Sequence, residues 1–158
     1  MAKLTKNLPL PKRRGEIIAA CCQLLDQEVA KKSGFSGFAI KTGYGILKAV
    51  KPGIVSEAVS QLFDDFISAL DPFHADFEKT SSASFGTHLM NRSRAVSEAL
   101  LAITDRRAEE SASTVLKGGY YKLRPLAVDN VQQAIPGVAN LIDSFYQRSN
   151  PRSARKSR

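Results

Sequence analysis

Residues Arg13–Asp26, RRGEIIAACCQLLD, line up with Arg92–Asp105, RSRAVSEALLAITD, at an offset of 79 residues. Further on, Ile40–Lys48, IKTGYGILK, line up with Leu116–Arg124, LKGGYYKLR, at an offset of 76. A three-residue difference in the connector reconciles the two registers. Self-similarity at a fixed offset marks a supersecondary unit present twice, with neither copy burying its apolar face alone. In the first copy Ile17, Ile18, Cys21, Leu24, Leu25 and Val29 fall at helical spacing, which predicts helix A over 14–32.

Working outward, Ser33, Gly34, Ser36 and Gly37 supply a break, and helix B is expected over 37–50, stopped by Lys51-Pro52-Gly53. Helix C follows over 53–70, with Ile54, Val55, Ala58, Val59, Leu62, Phe63, Phe66, Ile67 and Leu70 on one broad face. The second copy gives helix A′ over 93–110, B′ over 112–124, and C′ over 126–147, where Pro136-Gly137 should kink or restart the chain. Between the copies, 71–90 reads as a connector, with Asp71-Pro72 opening a short helix as N-cap and N1. No period-two alternation predicts a strand. The expected fold is all-α: two three-helix repeats, about 15–70 and 91–147, packed as one helical bundle whose core comes from A, C, A′ and C′. Apolar faces left over on B and B′ would close either that core or a homodimer.

Charge is uneven along the chain. Of the net +8, residues 1–14 carry +5 and residues 148–158 carry +5, neither with an acid, so 15–147 sum to −2. The reading is a basic N-terminal arm at 1–14, a single helical domain at 15–147, and a disordered basic tail at 148–158, both termini being flexible. Lys12, Arg13, Arg14, Arg152, Arg155, Lys156 and Arg158 are the residues with which such ends would attract a polyanion: an anionic membrane surface, nucleic acid or an acidic protein. No run approaches the ~18 apolar residues of a membrane span. The N-terminus lacks a secretory pattern, so a cytoplasmic location is expected.

Where the copies agree, Lys41, Tyr44 and Lys48 correspond to Lys117, Tyr120 and Arg124. Spacings of three and four put each set on one helical face, and a phenol between two cations can grip a phosphate or carboxylate. The competing reading is packing. Mid-helix Gly43 and Gly119 each cost about 1 kcal/mol against alanine, which suggests that helix B crosses B′ there with the tyrosines in the core. Asp26 and Asp105, kept between the copies, read as surface charges or salt-bridge partners. Cys21 and Cys22 correspond to Leu100 and Leu101 and read as apolar filler. His74 and His88 match no metal-ligand spacing, and no nucleophile, base and orienting group come together, so neither a metal, a cofactor nor catalysis is expected.

The stretch KKSGFSGFAIKTGYGILKAVKPGIV resembles a segment of small uncharacterised bacterial proteins with a Lys-Ser-Gly-x-Ser-Gly and a Gly-Tyr motif. The resemblance covers about two-thirds of the chain and implies no activity or substrate. From the residues, the expected function is a non-enzymatic interaction or scaffold protein tethered by its basic termini. Two alternatives stand beside it: a carrier or sensor of an apolar or anionic ligand held between the repeats, in a cavity lined by Tyr44, Tyr120 and phenylalanines, and non-specific nucleic-acid binding.

Overall fold

The computed structural model describes residues 4–10 and 12–146. It is an all-helical bundle: after a single 3₁₀ turn at Leu4–Lys6 come α1 (Arg14–Ala30), α2 (Gly34–Val50), α3 (Ile54–Glu78), α4 (Phe85–Met90), α5 (Ser93–Glu109) and α6 (Thr114–Phe145). Among the described residues there is no strand. Nor, among the described residues, is any helix long and apolar enough to cross a membrane.

Helix α3 does not stop at Leu70. It continues through Pro72 to Glu78, because its buried stripe of Phe63, Ile67 and Leu70 carries on to His74 at the same three- and four-residue spacing. A proline inside a helix costs about 3 kcal/mol, mainly through a lost hydrogen bond and a clash one turn back. Pro72 lies on the exposed face, so the carbonyl it leaves unpaired can turn to water. Asp71 does not cap a new helix. Its carboxylate accepts the Leu4 backbone N–H at 2.9 Å and ties the N-terminal turn to α3.

That tie corrects the expectation of a flexible N-terminal arm. Leu4 and Leu8 are buried in the main core, and the two arginines at the end of the arm are engaged, Arg13 with Glu16 at 2.6 Å and Arg14 with Asp64 at 2.5 Å. The basic tail at 148–158 lies outside the described residues.

The second half also departs from its expected boundaries. Residues assigned to B′ and C′ form one 32-residue helix, α6, with Pro125 and Pro136 inside it. Both prolines are exposed, as Pro72 is, and lie about a quarter-turn around α6 from the buried face of Ile135, Ala139 and Ile142. The halves therefore differ in helix count: α1, α2 and α3 before the connector, α5 and α6 after it.

The connector is the centre of the core. Phe85, Leu89, His74 and His88 are all fully buried, beside Ile17 of α1, Ile67 of α3, Val96 of α5 and Ile135 of α6. Short α4 is held by α6: the Asp143 carboxylate accepts the Ser84 hydroxyl and the Gly86 N–H, each at 2.8 Å. Gly86 permits this approach, since a Cβ there would stand 2.7 Å from the Ala139 carbonyl oxygen.

Candidate functional site

Helix α2 is joined to α1 by a short break, and the start of α6 is joined to α5 in the same manner. In both places the tyrosine of the later helix reaches back to the last aspartate of the earlier one. Tyr44 donates its hydroxyl to Asp26 Oδ1 at 2.5 Å, and Lys48 Nζ stands 3.5 Å from the same oxygen. Tyr120 donates to Asp105 Oδ1 at 2.5 Å, and the Arg124 guanidinium closes on both carboxylate oxygens at 2.7 and 3.0 Å. The expected anion grip is thus filled, twice, by a carboxylate of the chain itself.

The electrostatics follow from that occupancy. The Tyr44 hydrogen bond, then the Lys48 charge, hold the Asp26 carboxyl below its ordinary range. The Arg124 hydrogen bond, then that of Tyr120, do the same for Asp105. Partial burial first, and the accepting carboxylate second, push the Tyr120 phenol up to about 12, and Tyr44 is raised for the same two reasons. Each phenol stays a donor throughout the physiological range.

The third member of each predicted stripe stands apart. Lys41 is exposed and makes no ion pair with another described residue, while Lys117 reaches the Glu109 carbonyl oxygen at 3.4 Å. The glycines divide as well. A Cβ on Gly43 would lie 2.8 Å from Leu123 Cδ1, so α2 does pack closely on α6 there, but one on Gly119 would meet nothing within 4 Å. Helices therefore cross at the first glycine and not at the second.

The remaining candidates are local. Cys21 packs against the core, and burial, reinforced by the neighbouring Cys22, pushes its thiol up to about 11. His74 Nε2 lies 2.7 Å from the Tyr146 hydroxyl and His88 Nδ1 lies 3.1 Å from Arg92, both within an aromatic cluster that includes Phe77 and Phe85. Among the described residues no three His, Cys, Asp or Glu side chains converge as a metal site would require. A groove of about 930 Å³ runs between α1 and α6, lined by polar residues such as Gln23, Gln27, Asp129, Asn130 and Gln133. Neither Tyr44, Tyr120 nor any phenylalanine lines it.

The outward face of α2 is different in kind. Phe35 is 93% exposed, Phe38 71%, Ile46 54% and Val50 53%. Three- and four-residue steps through exposed Thr42, Gly45 and Ala49 join them into one uncharged stripe. From Val29 to Ser56 there is no acid and there are five lysines: Lys31, Lys32, Lys41, Lys48 and Lys51. Removing those five from the net −2 of residues 15–147 leaves −7 on the rest of that span, so the net positive charge of the span lies in the Val29–Ser56 segment. Lys31, Lys48 and Lys51 lean on Glu28, Asp26 and Glu57 respectively, yet each remains more than half exposed. The leftover apolar face on helix B was legible in the sequence. Its coincidence with an acid-free run was the signal the sequence reading passed over.

No curated protein and no solved structure is similar enough to this chain to count as a match. A protein-family model does match, over residues 4–146, which includes every described helix and stops short of the basic tail. The chain belongs to that family, the family of unknown function DUF6918.

Proposed function

We propose that this chain is a non-enzymatic helical interaction protein that is held to an acidic partner by its basic segments. The observation that carries the reading is the acid-free run from Val29 to Ser56, whose lysines lie on α2 or beside its ends, Lys31, Lys41, Lys48 and Lys51 being exposed. Cations gathered on one side of a body that is otherwise net negative steer and orient a polyanion, in a way that an even scatter of the same charges does not. The basic tail, with Arg152, Arg155, Lys156 and Arg158, adds to the same attraction in sequence terms.

The tyrosine stripes play a structural part in this proposal. Each is neutralised by its own aspartate, and what they do is fasten α1 to α2 and α5 to α6. Lys41, which has no such engagement, is the member of the stripes that stays available to a partner.

Retention of the full chain on immobilised heparin, a generic polyanion, tests the reading. Elution should require substantial salt, because each displaced counterion contributes to a steep salt dependence. Two variants separate the contributions: one replaces Lys31, Lys41 and Lys51 with glutamine, and one replaces Arg152, Arg155, Lys156 and Arg158 with glutamine. Both should elute earlier. A full chain that passes through at low salt would falsify the proposal.

A further inference from the structure

Resting on the reading just given, we infer that the acidic partner is an anionic lipid bilayer, and that α2 docks on it as an interfacial helix with Phe35, Phe38, Ile46 and Val50 in the headgroup-acyl boundary. A helix that lies in a membrane surface carries bulky apolar side chains on one side, lysines at its margins, and too little overall hydrophobicity to span. Helix α2 has each of these features. Its 17 residues include two lysines and no acid, its outward stripe is uncharged, and no described helix meets the requirements of a membrane span. Lys31 precedes it and Lys51 follows it, each more than half exposed, which places a cation at either end of the helix where lipid phosphates would lie, while Lys32 is turned to Gln133 of α6 at 2.9 Å.

Charge and surface chemistry together choose among the occupants. A second copy docked face to face through α2 would set the lysine-bearing segment against itself, with Glu28, Asp26 and Glu57 already paired to Lys31, Lys48 and Lys51 and no further acid between Val29 and Ser56 to offset the remaining charge. Nucleic acid would satisfy the lysines but would leave Phe35, Phe38, Ile46 and Val50 against a phosphate-lined, strongly hydrated surface. A surface that is anionic outside and apolar a few ångströms beneath satisfies both sets of side chains. Gly45, with nothing within 4 Å of a Cβ placed on it, lets the centre of the stripe lie flush with such a plane.

The proposal predicts sedimentation of the full chain with phosphatidylcholine vesicles containing phosphatidylserine, and little with phosphatidylcholine alone. Replacing Phe35 and Phe38 together with serine should lower partitioning about tenfold or more, from the loss of two apolar side chains. These side chains are exposed, so the helical circular-dichroism spectrum should not change. Lys41→Glu should weaken binding and reduce its salt dependence. Retention on heparin, or binding to a random DNA duplex, with no sedimentation on either vesicle overturns the bilayer assignment and leaves the acidic-partner reading standing. A dimer that the Phe35, Phe38 double substitution dissociates, without vesicle binding, assigns the face to a second copy instead. Failure on heparin, duplex and vesicles alike removes both proposals.

Discussion

The Tyr120 hydroxyl lies 2.5 Å from Asp105 Oδ1 while Arg124 grips both oxygens of that carboxylate, so a motif suited to a foreign anion is closed by the chain's own. The counterpart of Tyr44 with Asp26 is looser: Lys48 stands at 3.5 Å, and the Asp26 side chain is 54% exposed against 38% for Asp105. Tyr120→Phe should therefore cost about 1 kcal/mol, a typical net hydrogen-bond contribution discounted for partial exposure. Tyr44→Phe should cost less. Urea denaturation of the two variants checks the order, and equal losses would mean that Arg124 adds nothing to its clamp.

Full burial of Phe85 and Leu89 makes the segment between α3 and α5 a structural centre. Phe85→Ala should destabilise by about 3–5 kcal/mol, a large part of the ~5–15 kcal/mol that holds a domain together. Phe35→Ala, on a side chain that is 93% exposed, should stay within about 0.5 kcal/mol. Thermal melts of the pair provide the comparison. Similar losses from both would contradict the placement of the core.

Two glycines of α2 separate packing from propensity. Gly45→Ala should stabilise the chain by up to about 1 kcal/mol, since a Cβ there meets nothing and alanine is the better helix former. Gly43→Ala should gain less or lose, because Leu123 must move aside to admit the new methyl. Denaturation midpoints of both variants test whether α2 rests on α6 at Gly43.

His88 titrates low in the folded chain, first because burial disfavours its charged form and then because Arg92 adds a like charge; Asp76 opposes them only in part. A histidine whose folded pKa is depressed takes up protons more readily when unfolded. Its contribution to stability is complete above the unfolded value of about 6.5 and is lost as pH falls below it. Urea midpoints should therefore decline from pH 8 to pH 5.5, and His88→Asn should flatten that decline. A midpoint independent of pH in the wild-type chain would contradict the burial of a neutral ring.

Helix class was legible because the apolar stripes of α1, α3 and α5 have a single period. Helix ends were less so. Asp71-Pro72 and Pro125 are strong local stop signals, but both prolines are exposed, and in α3 the buried stripe continues past Pro72 to His74, so burial there overrides the local cost. His74 and His88 fall in the stretch read as a connector and match no metal-ligand spacing, and their place in the core was not legible, although imidazole among aromatic rings can fill one. For the anion grips, Asp26 and Asp105 were already visible as counterparts in the two aligned stretches, 18 and 15 residues before the tyrosines. What the chain could not state is that a carboxylate one helix away would reach the phenol. The exposed stripe on α2 lies at the same limit, since period reveals an apolar face and only tertiary structure reveals whether it is covered.

The chain has no tryptophan, so Phe35→Trp places a single reporter at the most exposed point of that stripe. Its emission should shift to the blue, and become shielded from a water-soluble quencher, when phosphatidylserine-containing vesicles are added to the full chain at low salt. Emission that stays at the wavelength of a solvated indole, equally quenched with and without those vesicles, would contradict docking through α2.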